Sequence, residues 1–527
     1  MSSRFTQLFS RLTRRNLLAG AGLAAFLRPS PSSAAPAAGT GALQIGPKIF
    51  ESIGVRPLIN AKGTFTIVTG SQSLPEVKQA MMEASKHYVH LDELMNGVSQ
   101  RLAALTGADW GIVTNGCAAA LTHSTAACIA GADPEKLQRL PDLDGLKNEV
   151  IAPRHSRNVY DHAIRMLGVK IVEVNDLDQL RKAINPRTAM IMILASPAAD
   201  REPMSTQSIS AIAKEHNVPV LVDAAAEILT IPNKHLQAGA TMVAYSGGKC
   251  LRGPQAAGLL LGRKDLVQAA WLHSAPHHAF GRSLKVGKEE IMGMLAAVEA
   301  WVKRDYKAEF RTWESWLATI SKTVTAVPGI TTEVRQPNGL SNHAPQLVIK
   351  WDAAKIGITG REVEKLLYDT EPRIVLGAAA VQPTSSVTIM PYMMMPEDHK
   401  VVAQRLQAVL SKPPKIERPA KPAGAMANVG GQWNLKIGYF SGSANHQLVF
   451  EQKESELAGT HRGDILAGDL RGTVDGPEVR FRSRHRYEGT SLGYDFVGRL
   501  EGDRLSGTVD LGEYGTAQWT AERHKYA

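Results

Sequence analysis

Residues 74–287 alternate short, continuously apolar runs with stretches of helical period. The runs fall at 111–114, 149–152, 170–174, 189–194, 219–222, 242–244 and 258–261. Runs this short, without polar alternation, suit parallel strands covered on both faces. Helical period lies between them. At 207–215, for instance, Ile209, Ile212 and Ala213 share one face, and 156–167 reads as a further helix. Strand–helix alternation over this length predicts a doubly wound α/β domain at 76–287, preceded at 38–75 by an extended arm without strong period.

A long helical stretch at 288–322 leads into a second unit that ends near residue 411. Its strand-like pieces at 346–351 and 386–390 and its closing helix at 397–410 predict a smaller α+β domain. Residues 412–427 form a Pro/Lys-rich linker, with Lys412-Pro413-Pro414-Lys415, Pro419, Pro422 and Gly424. From 428 to 527 the pattern changes to alternation of period two, as at 447–450, 479–483 and 494–497. The phrase Leu-x-Gly-Thr recurs there at 457–460, 470–473 and 505–508. Short strands joined by Gly/Asp turns predict a small antiparallel β-barrel or sandwich. Trp433, Leu448, Phe450, Phe481, Tyr494, Phe496 and Trp519 are its expected core. As sequence, this tail suits a substrate- or partner-binding appendage and a structural or dimerisation module equally.

Composition alters this picture only at the N-terminus. A chain of 527 residues with 44% hydrophobic and 21% charged residues is an ordinary globular protein of several domains, which excludes a fibrous or largely disordered one. Half of the net charge of +10 comes from Arg4, Arg11, Arg14, Arg15 and Arg28, in a stretch of forty residues that holds no acid. The remainder is only mildly basic and lacks a clustered basic stripe, so nucleic acid is not an expected partner. Thr13-Arg14-Arg15-Asn16-Leu17-Leu18 resembles the twin-arginine export motif. The apolar run 17–27 is too short to span a bilayer but suits a signal h-region, and Ala35-Pro36-Ala37 offers a cleavage site. Residues 1–37 are therefore expected to be a twin-arginine signal peptide read by the export machinery. The mature protein is then periplasmic or otherwise extracytoplasmic, with no stable membrane anchor. Cys117, Cys128 and Cys250 form no C-x-x-C pair and are expected to be buried thiols, with neither a disulfide framework nor a metal site.

Four features of the α/β region carry chemistry. Tyr245-Ser246-Gly247-Gly248-Lys249 follows an apolar run, and a lysine among glycines beyond a strand can bend back to form an imine with an aldehyde cofactor. Leu221-Val222-Asp223 places a carboxylate at the end of another strand, where it can keep a pyridine nitrogen protonated. Thr114-Asn115-Gly116-Cys117-Ala118-Ala119-Ala120 joins a strand to an Ala-rich helix, whose N-terminal N–H groups can hold a phosphate. Ser246 can add a hydroxyl to that phosphate. Pro153-Arg154-His155 follows a strand, and an imidazole there can lie flat on an aromatic ring. Each feature alone has a plain structural explanation, a solvated lysine or a tight strand–helix turn. Together they occur in one order and one setting.

With these residues, 50–410 resembles the fold type I pyridoxal-5'-phosphate (PLP) enzymes of aspartate-aminotransferase-like fold. Within them it resembles the selenocysteine synthase-like group, which includes L-seryl-tRNA(Sec) selenium transferase and relatives resembling D-glucosaminate-6-phosphate ammonia-lyase. The resemblance is carried by Ser246-Gly247-Gly248-Lys249 with Gly253-Pro254-Gln255 and Gly258, by Val222-Asp223-Ala224, by Thr114-Asn115-Gly116, and by His155 with Asn158-Val159-Tyr160-Asp161-His162. It implies that Lys249 carries the imine, Asp223 meets the pyridine nitrogen and His155 stacks on the ring. It assigns Asn115, Gly116, Cys117, Ala118 and Ser246 to the phosphate. It further implies that Arg373, in Glu371-Pro372-Arg373, and Gln255 meet the substrate. A homodimer or higher homo-oligomer is implied as well, with Arg282, Lys285 and Lys288 placed for a neighbour's site. Two departures stand out: the β-rich tail lies outside the group's pattern, and export removes the chain from aminoacyl-tRNA.

The activity expected is that of an exported PLP lyase catalysing α,β-elimination (dehydration and deamination) on an amino acid or amino-sugar acid. Aminotransferase, racemase and cysteine desulfurase chemistry remain open on the same scaffold. Desulfuration needs a mobile nucleophilic cysteine, and Cys250, adjacent to Lys249, is badly placed for it. A non-catalytic binding protein working through the tail is the alternative of another kind, disfavoured because all four cofactor features are intact.

Overall fold

The computed structural model describes residues 42–380, 384–416 and 426–525. The expected signal peptide and its cleavage site lie outside the described residues. All seven apolar runs are strands of one sheet. In spatial order these are Trp110–Asn115, Ala257–Gly262, Met242–Ser246, Val220–Asp223, Thr188–Leu194, Glu149–Pro153 and Lys170–Val174. Every residue of Glu149–Pro153, Val220–Asp223 and Ala257–Gly262 is buried, which is why their sequences show no polar alternation.

One strand departs from the all-parallel expectation. Ala257–Gly262 runs antiparallel to both its neighbours, Trp110–Asn115 and Met242–Ser246. Residues 247–256 are too few for the crossover that a parallel return requires, so the chain reverses instead. The parallel strands end together along one edge, at Pro153, Leu194, Asp223 and Ser246.

Two helical expectations are corrected. Residues 156–167 are not one helix: 3-10 turns at Arg154–Ser156 and Val159–Asp161 precede a single α-turn, His162–Arg165. The break is at Asn158, whose backbone is extended and whose side chain accepts a hydrogen bond from Tyr160 N at 2.7 Å, competing with the helix. The stretch 288–322 is two helices, Lys288–Trp301 and Tyr306–Val324, the second capped by Asp305, which accepts from Ala308 N at 2.9 Å.

The second helix leads into a four-stranded antiparallel sheet in the order Gly377–Ala380, Thr384–Ile389, Gln346–Asp352 and Thr331–Arg335. Its core joins Leu317 and Ile320 to Leu347, Ile349, Val402 and Leu406. The arm is tied to this domain by a short parallel strand pair, Ile59–Asn60 with Ile374–Val375.

The tail is a closed barrel of eight antiparallel strands in sequence order, from Gly431–Gly438 to Thr516–Arg523. Closure leaves no open sheet edge. Trp433, Leu448, Phe450, Phe481, Phe496 and Trp519 fill it, and Tyr494 is half-buried. The Leu-x-Gly-Thr phrase has a geometric cause. A Cβ at Gly459, Gly472 or Gly507 would lie 1.9, 2.1 and 2.0 Å from a carbonyl oxygen of the adjoining strand. Strands coil that closely only where a side chain is missing, as a small barrel requires. A polar layer lies inside as well: His446 Nδ1 is 2.9 Å from His461 Nε2, and His461 Nδ1 is 2.6 Å from Ser483 Oγ. Among the described residues no helix is long and apolar enough to cross a membrane.

Candidate active site

The loop 247–256 carries Lys249 at the edge where the parallel strands end. Its shape is set by Gly247 N to Ala257 O at 2.7 Å, Gly253 N to Gly247 O at 2.8 Å and Arg252 N to Lys249 O at 3.0 Å. The arm clamps it from outside: Ser71 N donates to Gly248 O and Leu74 N to Arg252 O, both at 3.0 Å. Lys249 is half-buried, and its Nζ makes no hydrogen bond or ion pair among the described residues.

Asp223, the last residue of its strand, is buried. Its Oδ1 accepts from Ala225 N at 3.0 Å and from the Cys117 thiol at 3.4 Å. Burial raises its carboxyl above the ordinary range, and the Ala225 N–H and the charge of Lys249 pull it partly back. A buried carboxylate costs several kcal/mol unless a cation meets it, and Asp223 has no ion pair among the described residues.

Beside it, Gly116 at φ +71° opens the helix Gly116–Ala130. A Cβ there would meet nothing within 4 Å, so the turn is open on the side where that Cβ would stand. The turn is backed by Gly258, where a Cβ would lie 2.3 Å from Gly116 C and O and 2.7 Å from Cys117 N. Gly258 is also the cross-strand partner of Ser246 and of Thr114. Ala118 is exposed on the open side, while the Cys117 side chain turns inward to Asp223. Asn115 Nδ2 donates to Lys285 O at 3.0 Å, drawing the segment that holds Arg282 and Lys285 alongside. His155 is half-buried, with Nδ1 3.2 Å from Ser156 Oγ and the Met204 backbone as a further partner of its ring. Burial holds its imidazole below the ordinary range.

Of the two residues expected to meet the substrate, Arg373 stands apart from this group and Gln255 is close to Lys249. The Arg373 guanidinium stacks on Tyr368 at 3.8 Å and donates to Tyr368 O and Arg56 O at 3.0 and 3.3 Å, so its donors are turned to its own domain. Gln255 is exposed, its side chain packed on Gly70 and Gly248 beside the lysine loop. Arg282 and Lys285 are exposed, and Lys288 pairs with Glu289. The three cysteines are buried and free; burial raises Cys117, Cys128 to about 12 and Cys250 to about 11. A cavity of about 450 Å³, lined by Asp109, Lys214, Asn217 and Arg263, opens at the opposite edge of the sheet, away from this chemistry.

Sequence reasoning missed the arm. Thr64 N donates to Tyr392 Oη at 3.1 Å, which donates to Asn342 Oδ1 at 2.8 Å, and Asn342 N bonds Ala226 O. This network backs the turn after Asp223. No period marks it; Gly63-Thr64 and Gly70-Ser71 were the available cue.

Among the described residues, a lysine without an ion pair, a buried carboxylate without one, a helix N-terminus and a half-buried imidazole converge on one edge. That donor set fits a phosphorylated pyridine aldehyde. Residues 149–281 match the family Aminotransferase class-V. The chain is 29% identical over 335 residues to D-glucosaminate-6-phosphate ammonia lyase of Salmonella typhimurium, covering 62% of this chain and 88% of that protein. It is 27% identical over 373 residues to 5'-C-glycyluridine monooxygenase-decarboxylase of a Streptomyces species, covering 68% and 92%. It is 26% identical over 286 residues to L-seryl-tRNA(Sec) selenium transferase of Proteus mirabilis, covering 47% and 56%. A solved structure of D-glucosaminate-6-phosphate ammonia-lyase superposes with a TM-score of 0.62 at 27% identity, covering 69% of this chain and 98% of that one. The chain thus has an aspartate-aminotransferase-like PLP fold followed by a separate β-barrel. Its homologues are PLP-dependent lyase and transferase enzymes, and its cofactor is pyridoxal phosphate.

Proposed function

We propose that this pyridoxal-phosphate enzyme is an exported lyase that takes water and then ammonia from an amino acid or amino-sugar acid by α,β-elimination. The observation that carries the reading is the unpaired Lys249 Nζ at the strand edge that also holds the buried Asp223 carboxyl. When bound, the cofactor supplies an aldehyde for the substrate amine and a ring that accepts the electron pair released at Cα. Lys249 Nζ takes the proton from the substrate Cα and returns it to the departing β-oxygen as general acid. Asp223 holds a proton at the ring nitrogen. With the cofactor bound, His155 would cover one ring face and keep water from it, while the Gly116, Cys117 and Ala118 N–H groups and the Ser246 hydroxyl would hold the phosphate. The resemblance to an amino-sugar acid ammonia lyase supports the substrate class. Export rests on the motif around Arg14-Arg15. The enzyme acts as a homodimer in this reading, with the exposed Arg282 and Lys285 turned to a neighbour's site; a fully active monomer by light scattering rejects that part.

The test is a screen of amino acids and aminosugar acids on the purified mature chain. Keto acid and ammonia should form in equal amounts with no amino acceptor present. Amino-group exchange with an added keto acid, without ammonia, rejects elimination. A second reading, oxygen-dependent decarboxylation, is favoured by the 27% identity to a monooxygenase-decarboxylase over 92% of its length. Oxygen uptake with carbon dioxide release selects that reading.

A further inference from the structure

We propose that the C-terminal barrel is a working part of the cofactor site: its hairpin Glu488-Gly489 holds the turn that carries His155, with Arg157 as the positioning residue. The inference rests on the reading of His155 as the ring that covers the cofactor. The Arg157 side chain, only 6% exposed, meets three carboxylates: Asp161 at 2.6 Å, Glu173 at 3.3 Å and Glu488 of the barrel. Around it, Arg486 lies 3.8 Å from Glu173, and Arg165 stacks on Tyr487 at 4.9 Å while donating to its hydroxyl at 3.3 Å. The contact reaches the backbone. A Cβ at Gly489 would lie 2.2 Å from Asn158 O, 2.5 Å from Asp161 Oδ2 and 2.6 Å from Asn158 N. Only glycine permits this approach.

The segment so gripped is held by short turns and the Asn158–Asp161 capping box rather than by a continuous helix. Between strand end and helix, 154–161 is held by isolated turns, Arg157 N to Arg154 O at 3.3 Å and Asp161 N to Asn158 O at 3.1 Å. Asn158 N adds a bond to Asp161 Oδ1 at 3.3 Å, so the carboxylate that anchors Arg157 also caps the turn. His155 is two residues before Arg157, and its Nδ1 depends on Ser156, which is fully buried. Wrong placement of a stacking ring by a fraction of an ångström is enough to weaken binding. A buried arginine that fastens two domains at this point fixes the ring's place more firmly than a surface pair would, because the guanidinium and its Asp161 partner are shielded from water.

The experiment uses the full-length holoenzyme with the variants Glu488→Ala, Gly489→Ala and Arg157→Lys, and His155→Ala as a control on the ring itself. It measures PLP affinity by titrating the apoenzyme, visible circular dichroism of the bound cofactor, and hydrogen exchange of 154–161. Glu488→Ala and Gly489→Ala should weaken PLP binding about tenfold, the scale of one lost charge-assisted hydrogen bond. They should also change the dichroism of the cofactor band and speed exchange at 154–161, while Lys249 still forms the band. Arg157→Lys, which keeps the charge but loses the planar fork that meets Asp161, Glu173 and Glu488, should give a smaller loss of affinity in the same direction. Unchanged affinity and dichroism in both hairpin variants, with exchange at 154–161 accelerated, overturns the proposal. So does unchanged exchange. If His155→Ala leaves the dichroism untouched, the assignment of His155 fails separately, and the clamp is then judged by exchange and affinity alone.

Discussion

The Cys117 thiol donates to Asp223 Oδ1 across 3.4 Å, joining the first turn of the helix Gly116–Ala130 to the end of the strand Val220–Asp223. Two residues far apart in sequence, on the turn proposed to bind phosphate and at the position proposed to meet the ring nitrogen, are thereby one unit. Burial and the neighbouring carboxylate hold the thiol protonated, so it supplies a donor without a second negative charge. Its hydrogen bond lowers the Asp223 carboxyl, against the burial that raises it. Cys117→Ala should therefore raise the Asp223 carboxyl further and move the acid limb of the kcat–pH profile to higher pH. A profile that stays in place rejects the link.

Asp223→Ala should retain the visible cofactor band yet lower turnover about 10²–10³-fold, the range for loss of one preorganised charge in a site. Near-normal turnover removes Asp223 from the ring nitrogen.

Lys249→Ala should abolish both the visible band and turnover, because no other lysine lies in the loop after Met242–Ser246. A normal band in that variant defeats the assignment of the imine.

Gly258→Ala pushes a methyl into the backbone of Gly116 and Cys117 at 2.3–2.7 Å. Relief requires the phosphate-binding turn to move, and overpacking of this kind costs about 1–3 kcal/mol. PLP affinity should fall while the barrel, in another domain, keeps its near-ultraviolet signal. Unaltered affinity shows that the turn is not the phosphate cradle.

Acid should destabilise the chain. Burial holds His461 down to about 2 and His123 and His273 to about 4, and lowers His446 and His485 as well. Unfolded, these imidazoles protonate near their ordinary value of about 6.5. Below that pH the unfolded state binds more protons, so stability is complete above it and falls as pH drops towards about 4. The midpoint of thermal unfolding, followed from pH 8 downwards, should decline within that window. A midpoint flat through the window contradicts the buried neutral histidines.

The strands of the α/β domain were legible because burial on both faces removes polar residues, and the seven runs needed no tertiary information. The barrel strands were legible for the opposite reason, a strict in–out alternation around Trp433, Phe450, Phe481 and Trp519. Lys249, Asp223 and Gly116 stood out because an imine, a pyridinium partner and a phosphate each demand a particular residue at the end of a strand. The helix expected at 156–167 failed because its apolar period was real, but Asn158 and Asp161 satisfy the backbone locally and then meet the barrel. Arg373 was chosen by its place in the resemblance, and in the structure its Nε and one terminal N–H donate to Tyr368 O and Arg56 O.

By itself, then, the chain determined most of its strands and marked its loop lysine as a candidate, since both follow from local pattern and residue type. Three things needed the tertiary structure. One is the reversal of Ala257–Gly262, set by the length of the loop before it. Another is the clamp of the arm on that loop, made by backbone groups that have no sequence signature. The last is the seating of Glu488 and Gly489 on Arg157 and Asn158, more than three hundred residues apart. Contacts between distant segments depend on where whole domains come to rest, and neither hydrophobic period nor residue spacing encodes that.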